Sequence, residues 1–424
     1  MLKEFFNKLG ILLRDKALRK RVLFVLFIFA AFRLLSTIPI PGVDPAALSG
    51  FIGDNQFFGF LNIFSGGALS QLSIVMLGVG PYITASIIMQ LLTTMVPKFK
   101  EMYHHEGESG RKKFSQISRY LTVPIAAVQG IGLILLLTQQ GIISSLGIGG
   151  TVVNLIIVIA GALLVTWLGE LISEFGISNG VSLLIFAGIV AIIPGQVAQL
   201  ALSYDPSQLP LYLGFVILAF IIIAGIIMVT EAERPVPVVY AKQSRGGQTY
   251  GGTSTYIPLR INQAGVMPLI FAISILLFPQ MLANFFVNAS SVGLQNIGQF
   301  ITQLLANGWF YSILYFVLVF VFTFFYTAIT FDPESMAENL QKSGAFIPGV
   351  RPGKATTDHI STIANRITLV GALFLGVIAV IPVIIQSVTG VQSFAIGGTS
   401  LLIVVAVVID LVKKMDAQVS MRQY

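Results

Sequence analysis

The side chains that could carry out catalysis or bind a metal are few in this chain. It contains no cysteine and only three histidines, so thiol chemistry, disulfides and cysteine metal sites are excluded. His104 and His105 stand beside Glu106 and Glu108, a group that invites interpretation as a metal site. These residues lie in a charged loop without helical register, which favours a solvated surface over a metal site. We therefore predict no metal and no other cofactor.

Enzymatic motifs are also missing from the sequence. The glycines of Gly147–Gly150 follow no predicted strand and have no acidic partner downstream, which argues against nucleotide binding. No serine, histidine and aspartate set forms a credible catalytic group. We expect that the chain is not an enzyme.

Ionisable residues within apolar segments are functional candidates in a membrane protein. Arg33 requires a carboxylate or backbone carbonyls to neutralise it. Glu170 and Glu174 share one helix face and are expected to reach headgroups or an inner cavity. Asp410 precedes Lys413 and Lys414 and marks the inner end of its segment. No series of carboxylates crosses the middle of the apolar segments.

The composition indicates that lipid, and not water, surrounds much of this chain. Of 424 residues, 55% are hydrophobic and only 10% are charged, and the mean hydropathy is +0.87. Soluble domains carry about 25% charged residues, whereas about 20 apolar residues form a helix that crosses a bilayer. Ten segments meet that length, which predicts an all-α polytopic membrane protein: Val22–Ile40, Leu72–Val96, Leu121–Thr138, Val152–Ile172, Val181–Leu202, Leu211–Thr230, Ala264–Val287, Trp309–Thr330, Ile367–Gln386 and Phe394–Val412.

Lysine and arginine placement predicts the orientation of these segments. With ten spans, all of the 25 basic residues except Arg33 fall on one side, which the positive-inside rule makes cytoplasmic. Both termini are then cytoplasmic, and two five-helix halves are related by inversion. The predicted divisions are an amphipathic segment 1–21, a first half 22–202, a second half 203–412 with cytoplasmic loops 231–263 and 331–366, and a tail 413–424.

Two kinds of segment do not fit a simple helix bundle. Phe57–Ser70 is apolar and glycine-rich but too short to span, so it is either a re-entrant helix or an interfacial loop on the outer face. The long basic inner loops have the charge to bind nucleic-acid phosphates or an acidic protein surface. Orientation alone also explains them and is the favoured interpretation.

Several stretches resemble the SecY (Sec61 α) family in order and spacing. They include FRLLSTIPIPG at Phe32–Gly42, NIFSGGALSQLSI at Asn62–Ile74 and GPYITASIIMQLL at Gly80–Leu92. EGESGRKKFSQISRY, ISNGVSLLIFAGIV, NQAGVMPLIFA and NLQKSGAFIPGVRPGK follow, so the resemblance covers nearly the whole chain.

The resemblance implies two inverted halves around a central pore, closed by a short re-entrant plug helix. Such a channel passes unfolded secretory polypeptides across the membrane and releases hydrophobic segments sideways into the bilayer. The implied location is the bacterial plasma membrane. The implied partners are small SecE-like and SecG-like subunits, the motor ATPase SecA, the ribosome through its RNA, signal peptides and nascent polypeptides, and the lipid bilayer.

The resemblance also assigns roles to individual residues. The pore ring is implied at Val79, Ile83, Val181, Ile185, Ile270 and Ile403. The plug spans residues 57–71 and contains Phe57, Phe58, Phe60, Leu61, Asn62, Ile63, Phe64, Ser65, Gly66 and Gly67. Gln90 and Asn262 border the lateral gate, and Lys242, Arg245 and Arg351 dock partners. Val79 and Val181 replace familiar isoleucines, and the loop tip at Gln243–Gln248 lacks the adjacent basic residues of many relatives.

A secondary transporter for a small solute is the main alternative function. It would share inverted repeats and broken helices, but it should carry coupling carboxylates or polar helix breaks near the midplane. This chain has an apolar waist and large basic inner loops instead. A membrane-embedded enzyme is a third class, and no catalytic group supports it.

Overall fold

The structure is a computed structural model. It describes residues 15–43, 62, 65–104, 106–139, 141–143, 147–202, 209–240, 243–245, 248–250, 254–287, 291–389 and 392–423.

The described chain is mostly helical. Its helices are α1 (Lys16–Ser36), α2 (Gly80–Met95), α3 (Pro97–His104), α4 (Gly107–Gln139), α5 (Gly147–Phe175), α6 (Gly180–Leu202), α7 (Leu209–Glu231), α8 (Met267–Val287), α9 (Val292–Ala306), α10 (Gly308–Thr330), α11 (Pro333–Lys342), α12 (Lys354–Thr389) and α13 (Gln392–Gln423). Five strands complete it: β1 (Glu233–Tyr240), β2 (Gln243–Arg245), β3 (Gln248–Tyr250), β4 (Ser254–Arg260) and β5 (Ala345–Phe346).

A helix overlaps each of the predicted spans. Five helical stretches in the described residues are long and apolar enough to cross a membrane by length and composition alone: Gly107–Thr138, Gly147–Phe175, Tyr212–Glu231, Gly308–Lys342 and Lys354–Ile385. The predicted multi-pass helical architecture agrees with them, and the count of ten crossings stays a prediction.

Several helices extend beyond the predicted spans. α1 begins at Lys16, where the Asp15 carboxylate accepts a 2.8 Å hydrogen bond from the Ala17 amide, so it runs through the boundary predicted at residue 21. α4 begins at Gly107 and α12 at Lys354, because their polar first turns continue as helix outside the apolar stretch. The rest of the predicted amphipathic segment, residues 1–14, lies outside the described residues.

The second predicted span begins as helix later than expected. Residues 74–79 form turns, and α2 starts only at Gly80. Pro81 in the first turn favours a helix start there, while Leu72 and Gly78 have positive φ angles of 42° and 53° that no helix accommodates.

The predicted cytoplasmic loops after α7 and α10 contain strands, which were not predicted from the sequence. Antiparallel β1 and β4 pair from Glu233 opposite Arg260 to Val239 opposite Ser254, and β5 joins the other edge of β1. Alternate β1 residues Val236 and Val238 are buried, in the period-two pattern of a half-buried strand. Together with Leu259, Ile347 and Ile360 they form a separate apolar core, so two loops distant in sequence fold as one unit.

The main apolar core runs through both predicted halves. It includes Phe32 of α1, Val165 of α5, Phe271 of α8, Tyr315 of α10 and Ala379 of α12. The halves touch along two seams, where α8 meets α2 and α4 and where α13 meets α6. The predicted pore-ring residues lie on or directly before helices of these two seams.

Candidate pore, gate and docking sites

An irregular segment between Ser65 and Val79 runs through the protein interior. Its buried apolar residues include Leu69, Leu72 and Val75. It pairs with the end of α1: the Ile40 amide donates to the Leu72 carbonyl and the Ile74 amide to the Ile38 carbonyl, both at 2.9 Å. Non-helical backbone at membrane depth is tolerated where protein surrounds it, and this segment meets that condition.

Asn62 and Ser65 hold the start of this segment in a compact turn. The Asn62 carbonyl accepts a 2.8 Å bond from the Gly67 amide, and its side-chain oxygen accepts a 3.0 Å bond from the Ser70 amide. The Ser65 hydroxyl accepts a 3.0 Å bond from the Leu69 amide. The turn is therefore a built structure, in which Asn62 and Ser65 replace lost backbone pairing.

Two glycines bring this turn directly against α6. A Cβ atom on Gly188 would collide with the Cα atom of Gly66, and one on Gly66 would lie 2.7 Å from the Phe32 ring. Gly66 also has a φ of +66°, a conformation that favours glycine. The predicted plug members Asn62, Ser65, Gly66 and Gly67 thus belong to this contact, whereas Phe57, Phe58, Phe60, Leu61, Ile63 and Phe64 lie outside the described residues.

The six predicted ring residues all join the main apolar core. Five are buried and Val181 is half-buried. They come from α2 or its N-cap, from the first turns of α6 and α8, and from α13: Val79, Ile83, Val181, Ile185, Ile270 and Ile403. The ring role stays a prediction, since many other residues share this core.

Close packing of α6 against α5 positions Val181 and Ile185, the two predicted ring residues on α6. A Cβ atom on Gly180 would collide with the Gly169 carbonyl of α5, and one on Gly169 would lie 3.2 Å from the Val181 side chain. The start of α6 therefore lies flush against α5, which fixes where Val181 and Ile185 enter the core.

The predicted gate residues lie on α2 and just before α8, two helices that contact each other. Gln90 is half-buried on α2, and Asn262 is buried just before α8. Asn262 donates a 3.2 Å bond from its amide nitrogen to the Gly265 carbonyl. Among the described residues, the side-chain oxygens of Gln90, Asn262 and Gln263 are buried without a hydrogen-bond partner. These three acceptors lie on α2 or in the approach to α8.

Arg351 is exposed on a tip between β5 and α12. Gly349 and Gly353 flank the tip with φ angles of +83° and +94°. The buried Thr356 hydroxyl donates a 2.9 Å hydrogen bond to the Arg351 carbonyl. The arginine backbone is thus tied to the first turn of α12 while its side chain faces outward.

Arg245, another predicted docking residue, lies in a second hairpin. Arg245 ends β2 and stands opposite Gln248 of β3. Lys242 lies outside the described residues.

An ion pair that was not predicted from the sequence joins α4 to α5. Arg119 of α4 lies 2.8 Å from Glu170 of α5, so Glu170 has an ion-pair partner within the protein. Two features could have suggested this pair: opposite charge and similar depth at the predicted inner ends of neighbouring spans.

A second set of polar contacts holds the inner end of α13. Asp410 accepts a 2.8 Å hydrogen bond from Ser178 and pairs with Lys414 at 2.8 Å. Lys413 pairs with Glu231 of α7 at 2.9 Å. These contacts tie α13 to the start of α6 on one side and to α7 on the other.

Metal binding has no support in the described part of the chain. Within it, no three His, Asp or Glu side chains come together in a cluster that could hold an ion. His105 of the histidine pair lies outside the described residues.

Comparison with known sequences gives a consistent result. The sequence model of the SecY family matches residues 73–412. The chain is 42% identical to the protein translocase subunit SecY of Streptomyces coelicolor, covering 96% of each chain. It is 40% identical to that of Synechocystis, covering 96% of this chain and 93% of the relative.

Solved structures share the fold at low sequence identity. A protein-conducting channel matches with a TM-score of 0.63 and 17% identity, covering 94% of this chain and 91% of the other. A SecY channel studied for its plug domain matches with a TM-score of 0.61 over the same shares. Sec61 from a canine ribosome–channel complex matches with a TM-score of 0.60 and 16% identity, again over 94% and 91%.

The contact between Gly66 and Gly188 gives a direct test of how the turn is held. We predict that Gly188→Leu displaces the turn, because the added side chain enters space occupied by Gly66 backbone. A cysteine replacing the fully buried Ala68 should then react faster with a water-soluble maleimide. The natural chain has no cysteine, so labelling reports that one position.

Gly195→Leu is the matched control on the same helix, since nothing lies within 4 Å of a Cβ atom at Gly195. It should leave the labelling rate unchanged. Equal labelling rates in the Ala68→Cys channel with and without Gly188→Leu would contradict the contact.

Proposed function

This chain belongs to the SecY family, and from that membership we propose that it is the channel-forming subunit of a Sec translocase. It would pass unfolded secretory polypeptides across the membrane and release hydrophobic segments sideways into the bilayer. The observation that carries the proposal is end-to-end similarity to named translocase subunits, at 42% identity over 96% of both chains. No relative reported above is named a solute transporter or an enzyme.

The resting pore is closed by the six-residue apolar ring. Its branched side chains are packed into the main core, and an apolar constriction excludes ions by remaining dry. Such side chains offer no fixed hydrogen-bond pattern, so they give way around any passing residue. This property suits a channel that must admit an extended polypeptide of any sequence.

The turn at Asn62–Ser70 anchors a plug that seats on the ring. The Gly66–Gly188 contact involves no side chain on either partner, so the turn can separate from α6 without withdrawing an interlocked side chain. A reported SecY neighbour is described as having a plug domain that stabilises its closed state. We assign the same role to residues 57–71 of this chain.

The lateral gate lies between α2 and α8. The buried acceptors on Gln90, Asn262 and Gln263 lack protein partners in the described residues, and a buried unsatisfied polar group costs about 1–3 kcal/mol. These acceptors lower the stability of the closed seam. An entering signal helix competes for a seam that is already only weakly held.

Energy for translocation comes from partners that dock on the cytoplasmic loops. The unit of β1, β4, β5 and the Arg351 tip provides a rigid platform. A structural neighbour is Sec61 in a ribosome–channel complex, which supports docking of the ribosome here. SecA is the second proposed motor, and SecE-like and SecG-like subunits complete the complex in the bacterial plasma membrane.

The proposed topology has ten spans with both termini in the cytoplasm. We predict that reporter fusions after cytoplasmic positions are active as inside reporters and that fusions in outer loops report outside, because basic residues are confined to one side. The inside positions are Lys113, Arg245, Lys354 and Arg422; the outside positions are Gly50, Ser145, Asp205 and Asn296. One fusion reproducibly on the wrong side would break the ten-span arrangement.

The ring assignment can be tested by replacing apolar ring residues with polar ones. Asparagine at both Ile83 and Ile270 should raise ion leak through the resting channel and admit precursors with defective signal peptides. Each buried amide without a partner costs the closed state about 1–3 kcal/mol, and about 1.4 kcal/mol changes an equilibrium tenfold. Leak is measured as conductance of planar bilayers containing equal amounts of channel.

The apolar variants Ile83→Leu and Ile270→Leu are the matched controls and should keep the seal. Unchanged leak in the asparagine variant would show that neither residue lines the constriction.

Partner docking is tested at Arg351. Arg351→Glu should leave channel abundance intact, because the side chain is exposed, and should nearly abolish SecA-driven export into vesicles. Arg351→Lys should be partly active, since lysine cannot reproduce bidentate contacts to carboxylate or phosphate. Export and SecA affinity are measured at matched channel amounts.

Lys354→Glu makes the same charge change three positions away, at the exposed first residue of α12. It should export normally. Equal defects in the two glutamate variants would mean that net charge matters and not Arg351; full export by Arg351→Glu would remove the docking role.

A further inference from the structure

α9 is a short helix attached to the outer end of the proposed gate helix α8. It follows α8 by a few residues and leads into α10, and it packs along α8. Gly298 makes this packing close: a Cβ atom there would lie 2.6 Å from the Val287 nitrogen and 2.8 Å from the Ala283 oxygen. α9 and the end of α8 therefore form one rigid corner.

The surface of α9 has three distinct edges. Gly298 and Leu305 are buried against α8. Beside them, Ile297 and Phe300 are exposed at 50% and 64%; they are three residues apart and so share a helix face. Asn296, Gln299 and Gln303 are exposed on the remaining side. An uncovered apolar edge thus separates the protein contact from a polar edge.

The sequence around α9 is unusual for a segment that would project into water. No Asp, Glu, Lys or Arg occurs from Ile261 to Phe331, although water-exposed protein carries about one charged residue in four. Directly after α9, Trp309 begins α10 with 72% of its surface exposed. Tryptophan is enriched at the level of lipid headgroups, so α9 adjoins the lipid-facing surface of α10 at its interfacial end.

We propose that α9 lies in the boundary between headgroups and acyl chains of the outer leaflet, with Ile297 and Phe300 in contact with lipid. An amphipathic helix with its apolar edge lowered into this boundary is a stable arrangement. Since α9 has no charge, its attachment depends on apolar area and is independent of anionic lipid. The proposal rests on the proposed topology, which places the α8–α10 connection outside.

Single-cysteine fluorescence can test this placement in the full channel complex. The natural chain has no cysteine, so an environment-sensitive probe is attached at Ile297→Cys, Phe300→Cys, Gln299→Cys or Val321→Cys. Gln299 is the matched control on the polar edge of α9. Val321, which is 53% exposed on α10, is the control for contact with the bilayer.

The complexes are reconstituted in phosphatidylcholine vesicles with and without brominated acyl chains, and again with phosphatidylglycerol added. Probes at Ile297 and Phe300 should be quenched about twofold or more by brominated lipid and protected from iodide. The probe at Gln299 should show the reverse, and phosphatidylglycerol should change neither result.

Three outcomes overturn the proposal. Iodide quenching at Ile297 and Phe300 would place this edge in water, and protection from both quenchers would mean that protein covers it. Dependence on phosphatidylglycerol would show electrostatic attachment. If the Val321 probe also escapes lipid quenching, the membrane topology itself fails, which separates that result from a failure of α9 alone.

Discussion

Every backbone amide inside a bilayer must find a partner in the protein, since no water is available there. Most of this chain meets that constraint by forming helices. Among the described residues, the stretch from Ser65 to Val79 departs from this pattern, and its amides bond to one another, to Asn62 and Ser65, and to the residues just after α1. A buried amide left without a partner costs several kcal/mol in lipid. α1, α5 and α6 pack against this stretch through Phe32, Gly161 and Gly188, and most of its residues are buried.

Close packing of the backbone also accounts for the positions of several glycines. Gly66 and Gly188 meet backbone to backbone, Gly161 of α5 meets the Ile74 carbonyl, and Gly180 meets Gly169. Close backbone approach without large side chains is a general way for membrane helices to pack, because lipid supplies no hydrophobic force between them.

The helices could be predicted from the sequence because apolar length is a strong signal in a protein with so little charge. Gly349, Pro352 and Gly353 are residues typical of turns, and the structure has Arg351 on an exposed tip among them. The sheet was missed because β1 contains Pro235 and Pro237, which discourage a strand assignment. Both lie within the pairing of β1 with β4. β5 is only two residues long, and its pairing with β1 joins loops about 100 residues apart.

At the candidate site, too, some features could be predicted from the sequence and others could not. Glu170 was recognised as unusual, but its partner Arg119 lies on another helix, and only packing identifies it. α9 was not predicted as a helix, because an uncharged fifteen-residue stretch is too short to span and reads as a loop. The contact between Gly66 and Gly188 needs three-dimensional proximity between residues more than a hundred positions apart, which no local pattern contains.

The length of α12 has a mechanical consequence. It is an unbroken helix of 36 residues that begins 13 positions before its predicted span, from Lys354 to Ile367, or about 20 Å at 1.5 Å per residue. Its first turn is bonded to the Arg351 carbonyl through Thr356, and its far part packs against α10 and α13. A force applied at the tip would therefore act on one continuous helix, which has no break between the exposed loop and the apolar core. The tip and the helices packed around α12 are mechanically coupled through that helix.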